Sequence, residues 1–209
     1  MLKSKINKIY TKHDCVRICQ GDLLKDVSFI TNASIIKENY YELDSFTFQY
    51  MVVLSQDCDL EYSEKTSIDQ NTNQTLFNQY QPNLLLVPAF LMEDFKSGIH
   101  LKKAFDITQK VHNGKEIDKI KNNTNEIRFH YLPYYKGKYK NKIFSVQEMV
   151  IDFKIYFTLP INTIFNEYME KYVATINELY REALSVRFAN YISRIGLPNQ
   201  ITNKNNLQS

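Results

Sequence analysis

The residues of this chain best equipped for chemistry are Ser55-Gln56-Asp57-Cys58-Asp59, which follow directly on the apolar run Tyr50-Met51-Val52-Val53-Leu54. Loops after buried strands are where catalytic groups are commonly displayed. Two chemistries suit the triplet Asp57-Cys58-Asp59. Cys58 could act as a nucleophile activated by a histidine such as His130, or Asp57 and Asp59 could hold a hard divalent cation. Against both stands a plainer role, in which one aspartate caps an Asx-type turn and Cys58 packs as a small hydrophobe. With no complete catalytic constellation in view, the plainer role is favoured.

Three further groups invite the same weighing. His13, Cys15 and Cys19 lie close in sequence, but an extended Cys-x-x-x-Cys segment separates its sulfurs by about 13 Å. No second ligand pair has recognisable zinc spacing, so core packing is expected and neither a metal nor a cofactor. Tyr134, Tyr135 and Tyr139 interleave with Lys136, Lys138, Lys140 and Lys142 without an acid. That is the composition of a nucleic-acid surface, with charges for phosphates and rings for bases; a solvated hairpin tip that protects a sheet edge has the same composition. Arg187 falls among Ile176, Tyr180, Leu184 and Tyr191 on the apolar face of a C-terminal helix when residues are counted at about 100° each, and Arg194 lies on the same side. Each is expected to meet a carboxylate or an anionic ligand, and Asp57 or Asp59 is the expected partner of Arg187.

The elements that must hold these groups are read from pattern. Segments 15–30 read as extended around a Gly21-Asp22 turn, Ser34–Glu38 as a strand, and Phe46–Ser55 as a central strand buried on both faces. Residues 61–83 are polar enough for a long loop, and Leu84–Val87 is a strand closed by Pro88. Short helical pieces from 89 to 123 are broken at Gly98 and Gly114. Ile127–Leu132 is a strand, Tyr134–Lys142 a hairpin tip, and Ile143–Leu159 carries one or two return strands. Thr175-Ile176-Asn177-Glu178 fits a capping box, so a helix is predicted from Ile176 to Arg194, stopped by Gly196 and Pro198. With no repeat or linker, residues 1–198 are read as one α+β domain and 199–209 as a polar tail.

Gly21-Asp22-Leu23-Leu24 with Asp26-Val27, then Met51-Val52-Val53-Leu54-Ser55, then Leu86-Val87-Pro88 stand in the order found in small-barrel proteins of the MazF and PemK type, which the first half of the chain resembles. The resemblance implies an SH3-like, PemK-like β-barrel with inserted short helices and a long C-terminal helix. The ribonuclease toxins of that family carry Arg-Pro before the hydrophobic strand and Ser or Thr after Val-Pro. Here Phe48-Gln49-Tyr50 and Ala89-Phe90 stand instead, so their catalytic pair is not carried over. Ser55-Gln56-Asp57-Cys58-Asp59-Leu60 and Arg194-Ile195-Gly196-Leu197-Pro198 also resemble a signature shared by a group of bacterial proteins, which marks a family without naming a chemistry.

Composition bounds the rest. The 209 residues are 44% hydrophobic and 13% aromatic, enough for a sizeable core, and a net charge of +3 permits a polyanionic partner without demanding one. Three cysteines do not make a disulfide framework, and no run of about 18 apolar residues occurs, so a cytoplasmic protein with reduced thiols and no membrane span is expected. The function expected is a binding or regulatory module acting through a protein partner, as in a phage-defence-type system, with nucleic acid a further partner. The alternative is a divergent ribonuclease toxin using Ser55, Arg128 and His130 for charge stabilisation and proton transfer.

Overall fold

A computed structural model describes residues 8–14, 17–37, 40–63, 66–68, 75–77, 81–124, 127–165 and 167–193. In chain order the elements are β1 (Tyr10–Thr11), β2 (Asp22–Lys37), β3 (Tyr40–Val53), α1 (Asp57–Ser63), β4 (Thr66–Ile68), β5 (Thr75–Phe77), β6 (Asn83–Leu91), α2 (Met92–Lys96), α3 (Lys102–Phe105), α4 (Gly114–Lys121), β7 (Phe129–Leu132), β8 (Tyr135–Tyr139), β9 (Lys142–Val146), β10 (Met149–Asp152), β11 (Phe157–Pro160), α5 (Ile161–Phe165), α6 (Tyr168–Lys171), β12 (Tyr172–Ile176) and α7 (Glu178–Ile192). The class is mixed α and β. One curled antiparallel sheet, half a barrel, runs in the order β1-β12-β2-β3-β6-β10-β7 with β11 also on β6, while β4–β5 and β8–β9 form separate ladders. Among the described residues no helix is long and apolar enough to cross a membrane.

Its central part, where β2 and β3 lie between β12 and β6, is covered on both faces, which is why those strand segments read as continuous apolar runs. Alternate residues point to opposite sides: Leu23, Val52 and Val87 enter a core shared with Leu184 and Phe188 of α7. Leu24, Met51, Val53 and Leu86 enter a second core with Ile164 and Tyr168. Each such fully buried aliphatic side chain contributes about 1.5–3 kcal/mol of transfer free energy. A third cluster of Met92, Phe95, Ile117, Ile120, Phe129 and Val150 seats α2 and α4.

Several local expectations are revised. β6 runs through Pro88 rather than ending there; its neighbour changes at that point from β11, paired with Asn83 to Leu86, to β10, paired with Ala89 to Leu91. A missing N–H costs the ladder least at such a changeover. Gly114 opens a helix, because Asn113 and Glu116 form the capping box there. Segment 61–83 is not simply a loop, since α1 extends to Ser63 and β4 pairs with β5. The final helix starts at Glu178 with Asn177 as its cap, and Thr175 belongs to β12. Arg194, the stop signals at Gly196 and Pro198, and the tail 199–209 lie outside the described residues.

Candidate functional site

Asp22 opens β2 and is fully buried. It lies after a tight turn in which its own N–H donates to the Cys19 carbonyl at 3.1 Å. Gly21 makes the approach possible: at φ 83° its N–H donates to the Val53 carbonyl and its carbonyl accepts from the Ile176 N–H, both at 2.8 Å. A Cβ there would stand 3.1 Å from the Ile176 carbonyl oxygen, in a conformation that L side chains avoid.

The carboxylate is fully engaged. Its Oδ1 accepts the Thr175 hydroxyl at 2.6 Å and meets His13 Nε2 at 3.1 Å. Its Oδ2 accepts the Cys19 N–H and the Tyr168 hydroxyl, each at 2.6 Å. Tyr172 completes the ring of groups, bonded through its hydroxyl to Thr175 Oγ1 at 2.8 Å and to the His13 N–H at 3.1 Å. The hydrogen bond to Asp22, reinforced by Cys19, pushes the His13 imidazolium up to about 9 against the opposing effect of burial. Thr175 therefore serves the buried carboxylate, which is why it is not available as a helix cap.

The structure brings His13 and Cys19 together, contrary to the extended-chain expectation. Among the described residues, the donor atoms of His13, Cys19 and Asp22 form the one group of three or more His, Cys or acidic side chains placed to share an ion, all within 4.8 Å of one another. Cys15 lies outside the described residues.

The Asp57-Cys58-Asp59 triplet occupies the first turn of α1, and its contact toward this cluster is with Gln20, the neighbour of Cys19 in the chain. Asp57 Oδ1 accepts the Gln20 N–H at 2.7 Å, and Asp57 Oδ2 pairs with Arg181 Nη1 at 2.6 Å. Gln20 Nε2 in turn donates to Ser185 Oγ at 2.9 Å. A helix arginine thus clasps the triplet, but it is Arg181, not Arg187. The docked face of α7 is Arg181, Leu184, Ser185 and Phe188, displaced around the helix from the face counted in the sequence. Arg187 is part-buried and donates from Nε to the Phe129 carbonyl at 2.8 Å and from Nη1 to the Asn123 carbonyl at 3.1 Å. Cys58 is exposed instead of packed, with Sγ 3.6 Å from Gln56 Oε1 and 3.7 Å from Asp59 Oδ1.

The groups of the nuclease alternative stand apart. Ser55 is buried, and its hydroxyl accepts the Leu85 N–H at 2.8 Å. Arg128 makes a bidentate pair with fully buried Asp152, Nε to Oδ1 at 2.7 Å and Nη2 to Oδ2. His130 is buried, its ring 6.4 Å from that of Phe153 and its Nδ1 without a hydrogen-bond partner among the described residues. Burial pushes its imidazolium down to about 4, helped by the charge of Arg187.

Interleaving of tyrosine and lysine in the hairpin resolves into strand alternation. β8 pairs with β9 across a two-residue turn, Lys140-Asn141, both at positive φ. Lys136, Lys138 and Lys142 are exposed, as is Tyr134. Tyr135 packs against the N-terminal segment, its ring 5.6 Å from that of Tyr10, and the Tyr139 hydroxyl donates to Asp14 at 2.6 Å at the surface. Lys140 also pairs with Asp14. Tyr135 and Tyr139 thus contact the N-terminal segment, while Tyr134 and the lysines face solvent.

One exposed apolar surface was not singled out in the sequence. β2 pairs with β12 only from Asp22 to Leu24, and β3 pairs with β6 only from Met51 to Val53, so among the described residues no other strand lies beside the ribbon beyond. At its base Phe29, Phe46 and Phe48 pack together with Phe157 on the core side. Further out that side becomes polar, with Asn32 opposite Asp44 and Ser34 opposite Glu42. The other side carries Ile30, then Ala33 opposite Leu43, then Ile35 opposite Tyr41. Ile30 is 65% exposed, Ile35 73%, Tyr41 64% and Leu43 55%.

Comparison of the chain with protein-family models, with curated proteins and with solved structures finds no match to any of them.

Proposed function

We propose that this chain is a binding module that acts through a protein partner, and that the outer part of the β2–β3 ribbon is where the partner docks. The observation that carries this reading is the outward apolar face of Ile30, Ala33, Ile35, Tyr41 and Leu43 on a ribbon that, among the described residues, has no other strand at its edges. An isolated two-stranded ribbon is marginal in water, and exposed contiguous apolar surface marks interaction sites. The occupant that fits both features is an extended apolar segment of another protein. It would add as a strand along a free edge and lay alternate side chains on the apolar face, with basic residues toward Glu42 and Asp44.

The finer fold belongs to the same proposal. Gly21-Asp22 at the start of β2, the apolar run of β3 leading to Ser55, and Val87-Pro88 within β6 support a relationship to the SH3-like barrel of MazF and PemK. The hydrogen bonds that occupy Ser55 and Arg128, and the burial of His130, favour binding over ribonuclease activity.

The test is hydrogen exchange and affinity capture with the full chain. A partner captured by the wild type, lost on Ile35→Asp or Leu43→Asp, retained by Lys138→Glu, and protecting amides in 30–45 would support the reading. A captured partner indifferent to both ribbon variants would refute it, as would a doubling of mass in light scattering that Leu43→Asp abolishes, which assigns the face to a second copy. Growth arrest on heterologous expression that requires Ser55, Arg128 and His130 would favour the toxin instead.

A further inference from the structure

We propose that His13, Cys19 and Asp22 form a site for a zinc ion, independent of the ribbon and of the function assigned to it. The donor set is imidazole nitrogen, thiol sulfur and carboxylate oxygen, the mixed N, S and O set that zinc takes and that the hard cations calcium and magnesium do not. The geometry is close to that of ligands on one ion. Two donors about 2.0–2.1 Å from zinc at a tetrahedral angle lie about 3.3 Å apart, and His13 Nε2 and Asp22 Oδ1 are separated by 3.1 Å. Cys19 Sγ completes a triangle no wider than 4.8 Å, which a rotation of the thiol closes further.

The surroundings are those of a supported ligand set. Ligating carboxylates and imidazoles are normally fixed by outer hydrogen bonds. Here Tyr168 and the Cys19 N–H hold Oδ2 of Asp22, and Thr175 holds Oδ1 from its other side. The His13 ring lies 4.8 Å from that of Tyr172 and 6.4 Å from that of Tyr168, which sets its plane. Asp22 is fully buried, whereas the His13 side chain is 28% exposed, so the site has a dry floor and an opening to water. Three protein donors and a fourth position filled by water is the coordination expected. The ion would replace the present contact between His13 and Asp22 with two bonds to itself, while the hydroxyl contacts to the carboxylate remain.

The probes are Co²⁺ and Zn²⁺ on chelator-treated full-length protein. Co²⁺ should give a near-ultraviolet thiolate-to-cobalt band and the intense visible bands of four-coordination, with one ion per chain, and Zn²⁺ should displace both. The bands should vanish in Cys19→Ser and persist in Cys58→Ser. His13→Gln, which keeps a donor toward Asp22, should weaken Zn²⁺ binding by at least about a hundredfold, and Tyr168→Phe by about 10–100-fold, the usual effect of losing an outer-shell partner. In the wild type, which needs no variant to fold, Zn²⁺ should slow alkylation of Cys19 and leave that of Cys58 unchanged. Absence of the thiolate band, its survival in Cys19→Ser, or unaltered alkylation of Cys19 would overturn the assignment.

Discussion

The two ends of β2 meet opposite fates. At Asp22 the strand begins in a fully buried carboxylate served by Thr175, Tyr168, His13 and the Cys19 amide; at Lys37 it ends in a ribbon with no other described strand at either edge. The apolar residues do not explain the contrast, since Leu23 and Leu24 at one end are matched by Ile35 and Ile36 at the other. Neighbours explain it. Where β12 and β6 flank the β2–β3 pair, side chains on both faces are covered, and beyond Leu24 and Met51 no described strand flanks the pair and Ile30, Ile35, Tyr41 and Leu43 are exposed. A strand's hydrophobicity therefore says that a face wants covering, not that the same chain covers it.

The largest effect should come from breaking the buried end. Asp22→Ala strands two hydroxyls, an amide and a charged imidazole, and should cost about 3–5 kcal/mol in denaturant unfolding, as removal of one partner from a buried ion pair does. Acid should find the next weakest point of the sheet. His130 is held neutral by burial with its imidazolium pushed down to about 4, so the unfolded chain binds a proton that the folded chain refuses. Its stabilisation is complete above the unfolded value of about 6.5 and is lost as pH falls toward 4, about 3 kcal/mol in all, so His130→Gln should flatten the stability profile across that window. The Asp57–Arg181 clasp is smaller. Both side chains are partly exposed, and a double-mutant cycle with Asp57→Asn and Arg181→Ala should give a coupling of about 1 kcal/mol. The smallest effect belongs to the ribbon, where Ile35→Asp should change stability by less than about 0.5 kcal/mol in the free protein. A core-sized loss there would erase the distinction between the two ends.

How much of this was legible depends on the range of the contacts. β3 could be read as a central strand because a run such as Met51-Val52-Val53 needs cover on both faces, and its pattern is local. The helix boundary was misplaced because Thr175-Ile176-Asn177-Glu178 satisfies the capping pattern, while the hydroxyl of Thr175 is required by a carboxylate 153 positions earlier. Arg187 was assigned to a carboxylate by counting around a helix whose docked face is set by Leu184 and Phe188. A modest rotation of that face moves Arg181 onto Asp57 and Arg187 onto carbonyl oxygens. For His13, Cys15 and Cys19 the sequence offers only the length of an extended chain between the cysteines; that Asp22, turned back onto Cys19, is the third member beside His13 and Cys19 is a tertiary fact. Tyr168, which completes the group, lies 155 positions from His13.

Those separations bear on how the protein is made. The ribbon closes between residues near in sequence, so it can zip up while the rest is still on the ribosome. The pocket around Asp22 waits for Tyr168, Tyr172 and Thr175, so during synthesis the apolar ribbon emerges well before the sheet can close at β12. For most of translation the nascent chain therefore offers its stickiest surface without its most rigid corner, and a folding helper that shields the ribbon would matter more to its yield than one that acts on the finished chain.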